Sequence, residues 1–159
     1  MSGKPKRYWL NLALFTLFAL LLATVAIGLW LARQRAMILV HPGRSLPIRT
    51  PADYQLSRWE DVRFSSDDGL ELGGWFIQPV PTSDGATLLF VHGLGGNRSE
   101  LVAEVAMLAP HGYGALLIDL RNHGQSQGTV TTMSYAEVQD VQGALAYLAT
   151  RPEVNPARI

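Results

Sequence analysis

The chain contains no cysteine, which excludes disulfides, thiolate metal sites and a cysteine nucleophile while being compatible with either side of a membrane. Charge is missing from one long stretch: Tyr8 to Ala32, "YWLNLALFTLFALLLATVAIGLWLA", has no Asp, Glu, Lys or Arg. A soluble surface helix needs a polar face, and this run has none, so it reads as a membrane span. The rest of the chain has no repeat or low-complexity segment. Beyond Arg35 it holds 13 acidic and 8 basic residues, a formal charge of −5, which argues against a nucleic-acid partner.

As a helix the uncharged run would be about 37 Å long, enough to cross a hydrocarbon core of roughly 30 Å with some tilt. Trp9 and Trp30 fall near its ends, where amphipathic rings favour the interface. Lys4, Lys6 and Arg7 ahead of it would also suit a cleaved signal peptide. The run far exceeds the usual 7–15 residues or so, however, and ends in "WLARQRA" without a clear small-x-small site. An uncleaved anchor over residues 1–35 (span about 8–32) is therefore expected, with the lipid bilayer as partner. The slight excess of basic residues ahead of the span, against Arg33 and Arg35 behind it, favours a cytoplasmic N-terminus with the domain outside.

Residues 36–58 carry Pro42, Pro47 and Pro51 with little periodicity and read as a connector; His41 there is a packing residue. Val62 and Phe64, the turn Asp67-Asp68-Gly69, and then Leu70, Leu72, Trp75 and Ile77 predict a β-hairpin. "TLLFVH" (Thr87 to His92) is a nearly continuous apolar strand of the kind buried on both faces. After the glycine-rich "HGLGGNRSE", Asn97 with Glu100 predicts a helix start, its inner face Leu101, Val105 and Leu108, with His111-Gly112 as stop. "YGALLIDL" predicts a second buried strand from about Tyr113 to Asp119. Ser134 to Glu137 reads as a capping box opening a helix to about Thr150, with Val138, Val141, Leu145 and Leu148 at helical spacing. A hairpin followed by β-α-β-α predicts an α/β domain over 59–159 with a parallel sheet covered by helices.

Two stretches carry candidate chemistry. In "FVHGLGGN" a buried strand delivers His-Gly into a glycine-rich turn ahead of a helix, so bare backbone N–H groups can face a developing negative charge. A phosphate loop is the competing use, but Arg98 occupies the sixth position of G-x-G-x-x-G and no Lys-Ser/Thr follows. In "DLRNHGQSQG", Gly124 to Gly128 match G-x-S-x-G. A nucleophile elbow places its serine directly between a buried strand and a helix. Here Arg121, Asn122 and His123 separate the strand from Gly124, and "TVTTM" follows Gly128, so Ser126 is expected to be a decoy.

Together, "LLFVHGLGGN", "GYGALLIDLRNHGQSQG" and "DVQGALAYL" resemble the front half of the α/β-hydrolase superfamily, most closely its membrane-anchored or serine-aminopeptidase-like esterase members, over roughly Trp59 to Ile159. Asn122 departs from the family's usual glycine. The resemblance implies that the backbone N–H of Leu94 is one oxyanion donor, that Gly93, Gly95 and Gly96 with His92 shape that loop, and that Asp119, Arg121, His123 and Ser126 brace the neighbouring one. It implies no metal or organic cofactor, and an ester, thioester or amide substrate in the intact enzyme. The strand with the true elbow, the acid and the histidine would come later, so an inactive N-terminal fragment is expected, with Thr87 to His92 as an open edge. The rivals are a short membrane protein whose half-domain binds a partner chain, and a hydrolase-fold enzyme of other chemistry such as a dehalogenase.

Overall fold

The structure, a computed structural model, describes residues 5–159; Lys4, one of the basic residues counted above, lies outside them. The chain divides into two units, Met1–Leu39 and Val40–Ile159.

The first unit is helix α1, Lys6–Val40, 35 residues or about 52 Å long. Among the described residues it is the one helix long and apolar enough to cross a membrane, with a mean hydropathy of 2.6 over its most apolar 18 residues. It runs past the expected end near Ala32, through Arg33 and Arg35. Gln34, Arg35, Ala36 and Met37 are good helix formers, and the helix ends only where Pro42 disfavours helical backbone at His41.

The second unit carries a four-stranded sheet: β1 (Trp59–Ser65), β2 (Glu71–Ile77), β3 (Thr87–Val91) and β4 (Gly114–Ile118), in the order β1-β2-β4-β3. β1–β2 and β2–β4 are antiparallel; β3–β4 is parallel. Helix α2 (Val102–Leu108) follows β3 and helix α3 (Glu137–Ala149) follows β4. The hairpin forms as its Asp-Gly signal suggests, with Gly69 left-handed at φ 88° and Ser65 opposite Glu71.

β2 is buried on both faces, so its side chains serve two cores. Leu72 and Phe76 join Val62, Phe64, Leu116, Ile118, Ala144 and Leu148 beneath α3. Trp75 and Ile77 join Val102, Val105, Ala115 and Leu117 beneath α2. Leu72 thus faces the opposite way from Trp75 and Ile77, because residues an odd number apart on a strand face opposite ways.

Three further expectations are corrected. β3 is only partly buried, with Leu88 and Val91 exposed. It sits at the sheet edge, and an apolar run shows what a strand can bury rather than what covers it. Helix α2 starts at Val102, not Asn97; Asn97 instead closes a turn, its Oδ1 accepting from Ser99 N–H at 2.9 Å and from the Ser99 hydroxyl at 2.6 Å. Val102 and Val105 supply the inner face, while Leu101 and Leu108 are half-buried. Helix α3 starts at Glu137, because Met133 and Ser134 are left-handed (φ 53° and 81°). Its buried face is Glu137, Asp140, Gly143, Ala144 and Leu148, and Val138 and Leu145 point out. The reciprocal half of the capping box survives: the Glu137 carboxylate accepts from Ser134 N–H at 2.8 Å and Thr132 N–H at 2.7 Å.

What turns α3 this way is a polar clamp. Arg121, just past β4, donates through Nε and Nη2 to Asp140 Oδ1 (3.0 and 2.8 Å) and through Nη1 and Nη2 to both oxygens of Asp68 in the hairpin turn (2.9 and 2.8 Å). Asp140 Oδ2 takes the Arg121 backbone N–H at 2.8 Å. The hydrogen bonds from Arg121, then from Ser66, hold the Asp68 carboxyl down at about 2. Burial alone would lower the Arg121 guanidinium, but the two carboxylates hold it above its ordinary value. α3 can approach this closely because position 143 is glycine: a Cβ there would overlap the Ser65 carbonyl oxygen.

Asp140 is fully buried and Asp68 partly exposed, so Asp140→Ala should cost about 3–5 kcal/mol by stranding a buried guanidinium. Asp68→Ala should cost less. Urea unfolding of the full chain in detergent, followed by tryptophan fluorescence, checks the order; equal losses would remove the clamp from this role. Gly143→Ala should destabilise strongly in the same assay, because the obstacle is backbone.

Candidate functional site

The site lies where β3 and β4 end. β3 runs into His92-Gly93-Leu94-Gly95-Gly96, and β4 into the loop Asp119 to Gly128. Gly95 is left-handed (φ 77°), a conformation that favours glycine. Gly93 has no positive φ and open space around it, so local geometry does not itself require a glycine there. At Gly96 a Cβ would meet only the movable Glu100 carboxylate.

Two histidines lock this loop to the next. His92 Nε2 accepts from Leu120 N–H at 3.1 Å, and His123 Nε2 accepts from Gly95 N–H at 3.0 Å. Each must therefore carry its proton on Nδ1, and each Nδ1 has a carbonyl to receive it: Gly93 O at 2.7 Å and Arg121 O at 2.9 Å. The rings stand 4.9 Å apart, tilted by 57°. Both accept through Nε2, and burial pushes the His92 imidazole below its ordinary value, against the pull of the Gly93 carbonyl.

Asp119 is the second lock. Fully buried, it takes Arg98 N–H on Oδ1 at 2.7 Å and Gln125 N–H on Oδ2 at 3.0 Å. A Cβ at Gly124, itself left-handed, would overlap the Asp119 carboxylate. Arg98, also buried, reaches Gly74 O (3.1 Å), Gln125 Oε1 (2.7 Å) and Asp61, and its guanidinium lies over the Trp75 ring at 4.7 Å.

Ser126 is buried, and its hydroxyl is occupied twice. It donates to Asp119 O at 2.5 Å and accepts from Gly73 N–H at 2.9 Å. Its proton goes to a carbonyl rather than to a base, one of its lone pairs is used by β2, and the histidine nearest in sequence, His123, spends its Nε2 on Gly95. Arg121 faces the clamp rather than the groove. Asn122 is left-handed at φ 61°, a conformation that asparagine tolerates better than most other side chains.

The connector joins this assembly. Val40 O accepts from Thr131 N–H at 2.8 Å, and His41 Nδ1 lies 2.8 Å from Thr129 O. Arg44 donates to Ser126 O at 2.7 Å and Gly128 O at 2.5 Å. Ser45 accepts from Asn97 Nδ2 at 2.9 Å and donates to Gly95 O at 3.3 Å. Arg98, Arg44 and Asp140 are structural residues that sequence reasoning does not single out; Arg98 enters it only as a break in a phosphate motif. A buried arginine has no local sequence signal.

Beside these loops opens a groove of about 420 Å³, lined by Val91, His92, Leu94, Met133, Val138 and Val141 among others. The Leu94 N–H has no acceptor among the described residues, unlike that of Gly95. A free N–H on a glycine-rich turn beside an apolar groove can receive an oxyanion. No group of three metal-ligating side chains occurs among the described residues.

The fold is similar to those of solved esterases. The Pyrococcus furiosus esterase Pf2001 superposes with a TM-score of 0.63 at 28% identity, over 72% of this chain and 44% of that one. The chain carries part of the α/β-hydrolase fold. The α/β-hydrolase domain-containing protein WAV2 of Arabidopsis thaliana is 31% identical over 143 residues, 87% of this chain and 45% of that protein. The uncharacterised protein YfhR of Salmonella typhi is 31% identical over 147 residues, 91% of this chain and 48% of that protein. The chain thus spans about half the length of the curated relatives it matches. No family model matches it.

Within this hydrolase fold, Gly124→Ala should abolish folding, read as loss of the cooperative urea transition, because backbone conformation and the buried carboxylate both oppose a methyl group. The His92 shift also has a sign. With its folded value below the ordinary 6.5, the unfolded chain binds the proton that the folded chain refuses, so this contribution is complete above about pH 6.5 and lost as pH falls. Stability between pH 7.5 and 5.5 should fall less in His92→Gln, which keeps an acceptor without titrating. An unchanged slope would exclude His92 as the source.

Proposed function

We propose that these residues supply the membrane anchor and the oxyanion-hole half of a serine hydrolase acting on an ester, thioester or amide. The observation that carries this reading is the free Leu94 N–H at the groove, on a loop held by His123 and Asp119. In the proposed reaction a serine attacks the acyl carbonyl, and the Leu94 N–H donates a hydrogen bond to the tetrahedral oxyanion as charge builds there. Removing one such donor typically lowers kcat by about 10²–10³. Gly95 and Asn97, fixed to His123 and Ser45, would keep that N–H in place, so no rearrangement is needed at the moment of reaction.

Ser126 is not that serine in this reading, because both halves of its hydroxyl are spent within the sheet. The 159 residues alone are then inactive, and the nucleophile comes from a strand beside β3, whose outer edge has no partner strand among the described residues. Helix α1 supports the anchor: its length and hydropathy suit a single span, with the domain outside on the balance of basic residues. That open edge also favours one other reading, a half-domain that pairs with a second chain.

Fluorophosphonate treatment of the 159-residue chain, with peptide mapping, should leave every serine unlabelled. Reading the encoding DNA past the Ile159 codon should give an apolar strand and a new G-x-S-x-G, whose serine takes the probe in the longer product. Labelling of Ser126 would overturn the proposal; a stop codon at that point would favour the two-chain reading.

A further inference from the structure

Two of the chain's four histidines, His92 and His123, stand together between the loop after β3 and the loop after β4. Their bonds cross in opposite directions. His92 belongs to the first loop and takes the Leu120 N–H of the second; His123 belongs to the second and takes the Gly95 N–H of the first. Each Nδ1 is turned to a carbonyl of its own loop. Nε2 is then the one nitrogen in each ring open to a further proton, and it is the atom on which the opposite loop hangs. A bare imidazole nitrogen accepts a hydrogen bond, and a protonated one can only donate. Protonation therefore sets an N–H against an N–H. Both rings are buried, so a charged ring regains water only by moving outward.

The charges around the pair set the direction. Burial, the largest influence, and the His123 ring 4.9 Å away push the His92 imidazole down, against the Gly93 carbonyl, Asp119 at the end of β4 and Glu100 beyond the glycine-rich turn. From α3, Glu137 lines the same groove, its carboxylate held by the Thr132 and Ser134 amides. The arginines nearby turn elsewhere: Arg98 to Asp61 and Gln125, Arg121 to Asp68 and Asp140, and the connector's Arg44 to the Ser126 and Gly128 carbonyls. The connector's His41 faces Thr129 O. The released arrangement of His92 thus binds a proton that the held one refuses, so the held one is complete above about pH 6.5 and gives way as pH falls. Arg98 N–H stays on Asp119, which confines the release to the turn from His92 to Gly96.

We propose that His92 and His123 form an acid-operated latch: a proton taken up at Nε2 of either ring frees the turn that carries Leu94 from the loop after β4, and the bond re-forms when the proton leaves. Under the hydrolase reading above, on which this step rests, acid withdraws the oxyanion donor without touching nucleophile or base.

NMR of the nitrogen-15-labelled full chain in detergent micelles, from about pH 7.5 to 5, tests the latch. At the upper end both rings should carry the proton on Nδ1 and leave Nε2 bare. As the rings titrate, the Gly95 and Leu120 amide protons should move upfield with them, the held-to-released ratio shifting by up to about tenfold per pH unit for each proton. Leu116, in the middle of the sheet, should not move. In His123→Gln, which accepts without titrating, Gly95 should cease to respond while Leu120 still follows His92. Rings protonated on Nε2 at pH 7.5, rings that titrate with both amides in place, or loss of Leu116 together with Gly95 would each overturn the latch. These readouts need no catalysis, so such a failure leaves the hydrolase reading to the fluorophosphonate experiment.

Discussion

The buried carboxylate of Asp119 is the constraint on which the arrangement of the site depends. It stands where β4 ends and takes one backbone N–H from the loop after β3 and another from its own loop. A carboxylate removed from water must be given hydrogen bonds, and here those bonds fix two loops relative to each other. Around it the demand spreads: Gly124 must lack a Cβ, Arg98 is brought inside against Trp75, and Ser126 closes onto the Asp119 carbonyl. The free Leu94 N–H is a consequence of this order. The next residue, Gly95, is held through its N–H by His123, while the Leu94 N–H has no acceptor among the described residues.

A second charged cluster, Arg121 between Asp140 and Asp68, does for the architecture what Asp119 does for the site. It sets the rotation of α3 about its own axis and connects the hairpin turn to the helix. Hydrophobic burial supplies the bulk of the driving force in both cores, but burial alone is indifferent to which of two apolar stripes faces in. The ion pairs make that choice.

That is also where the sequence stopped being legible. The strands, their turn, the two loops and the α/β alternation follow from local pattern and were readable. The inner face of α3 was not, because Val138, Val141 and Leu145 form a better apolar stripe than Glu137, Asp140 and Ala144; helical periodicity cannot see that Asp140 is claimed by Arg121. For Ser126 the spacing from the strand and the hydrogen bonds of its hydroxyl point the same way, away from a nucleophile. Asn122, a departure by residue type, sits in a left-handed conformation of the kind glycine adopts readily. The part played by the connector could not have been read at all, since Arg44 and Ser45 act on carbonyl oxygens some eighty and fifty residues away, and backbone acceptors leave no trace in sequence.

The strand order has a consequence for how the chain is made. β4 lies between β2 and β3, so β3 leaves the ribosome before the strand it pairs with among the described residues. At about 5–20 residues per second, the stretch from Val91 to Ile118 keeps an apolar strand waiting for some seconds after the hairpin has formed. During that interval "TLLFV" has neither partner nor cover. Under the proposed anchor, a nascent chain held by its N-terminal helix at a membrane would spend those seconds apart from its neighbours, and the tether would protect against misassembly as well as serve as an address.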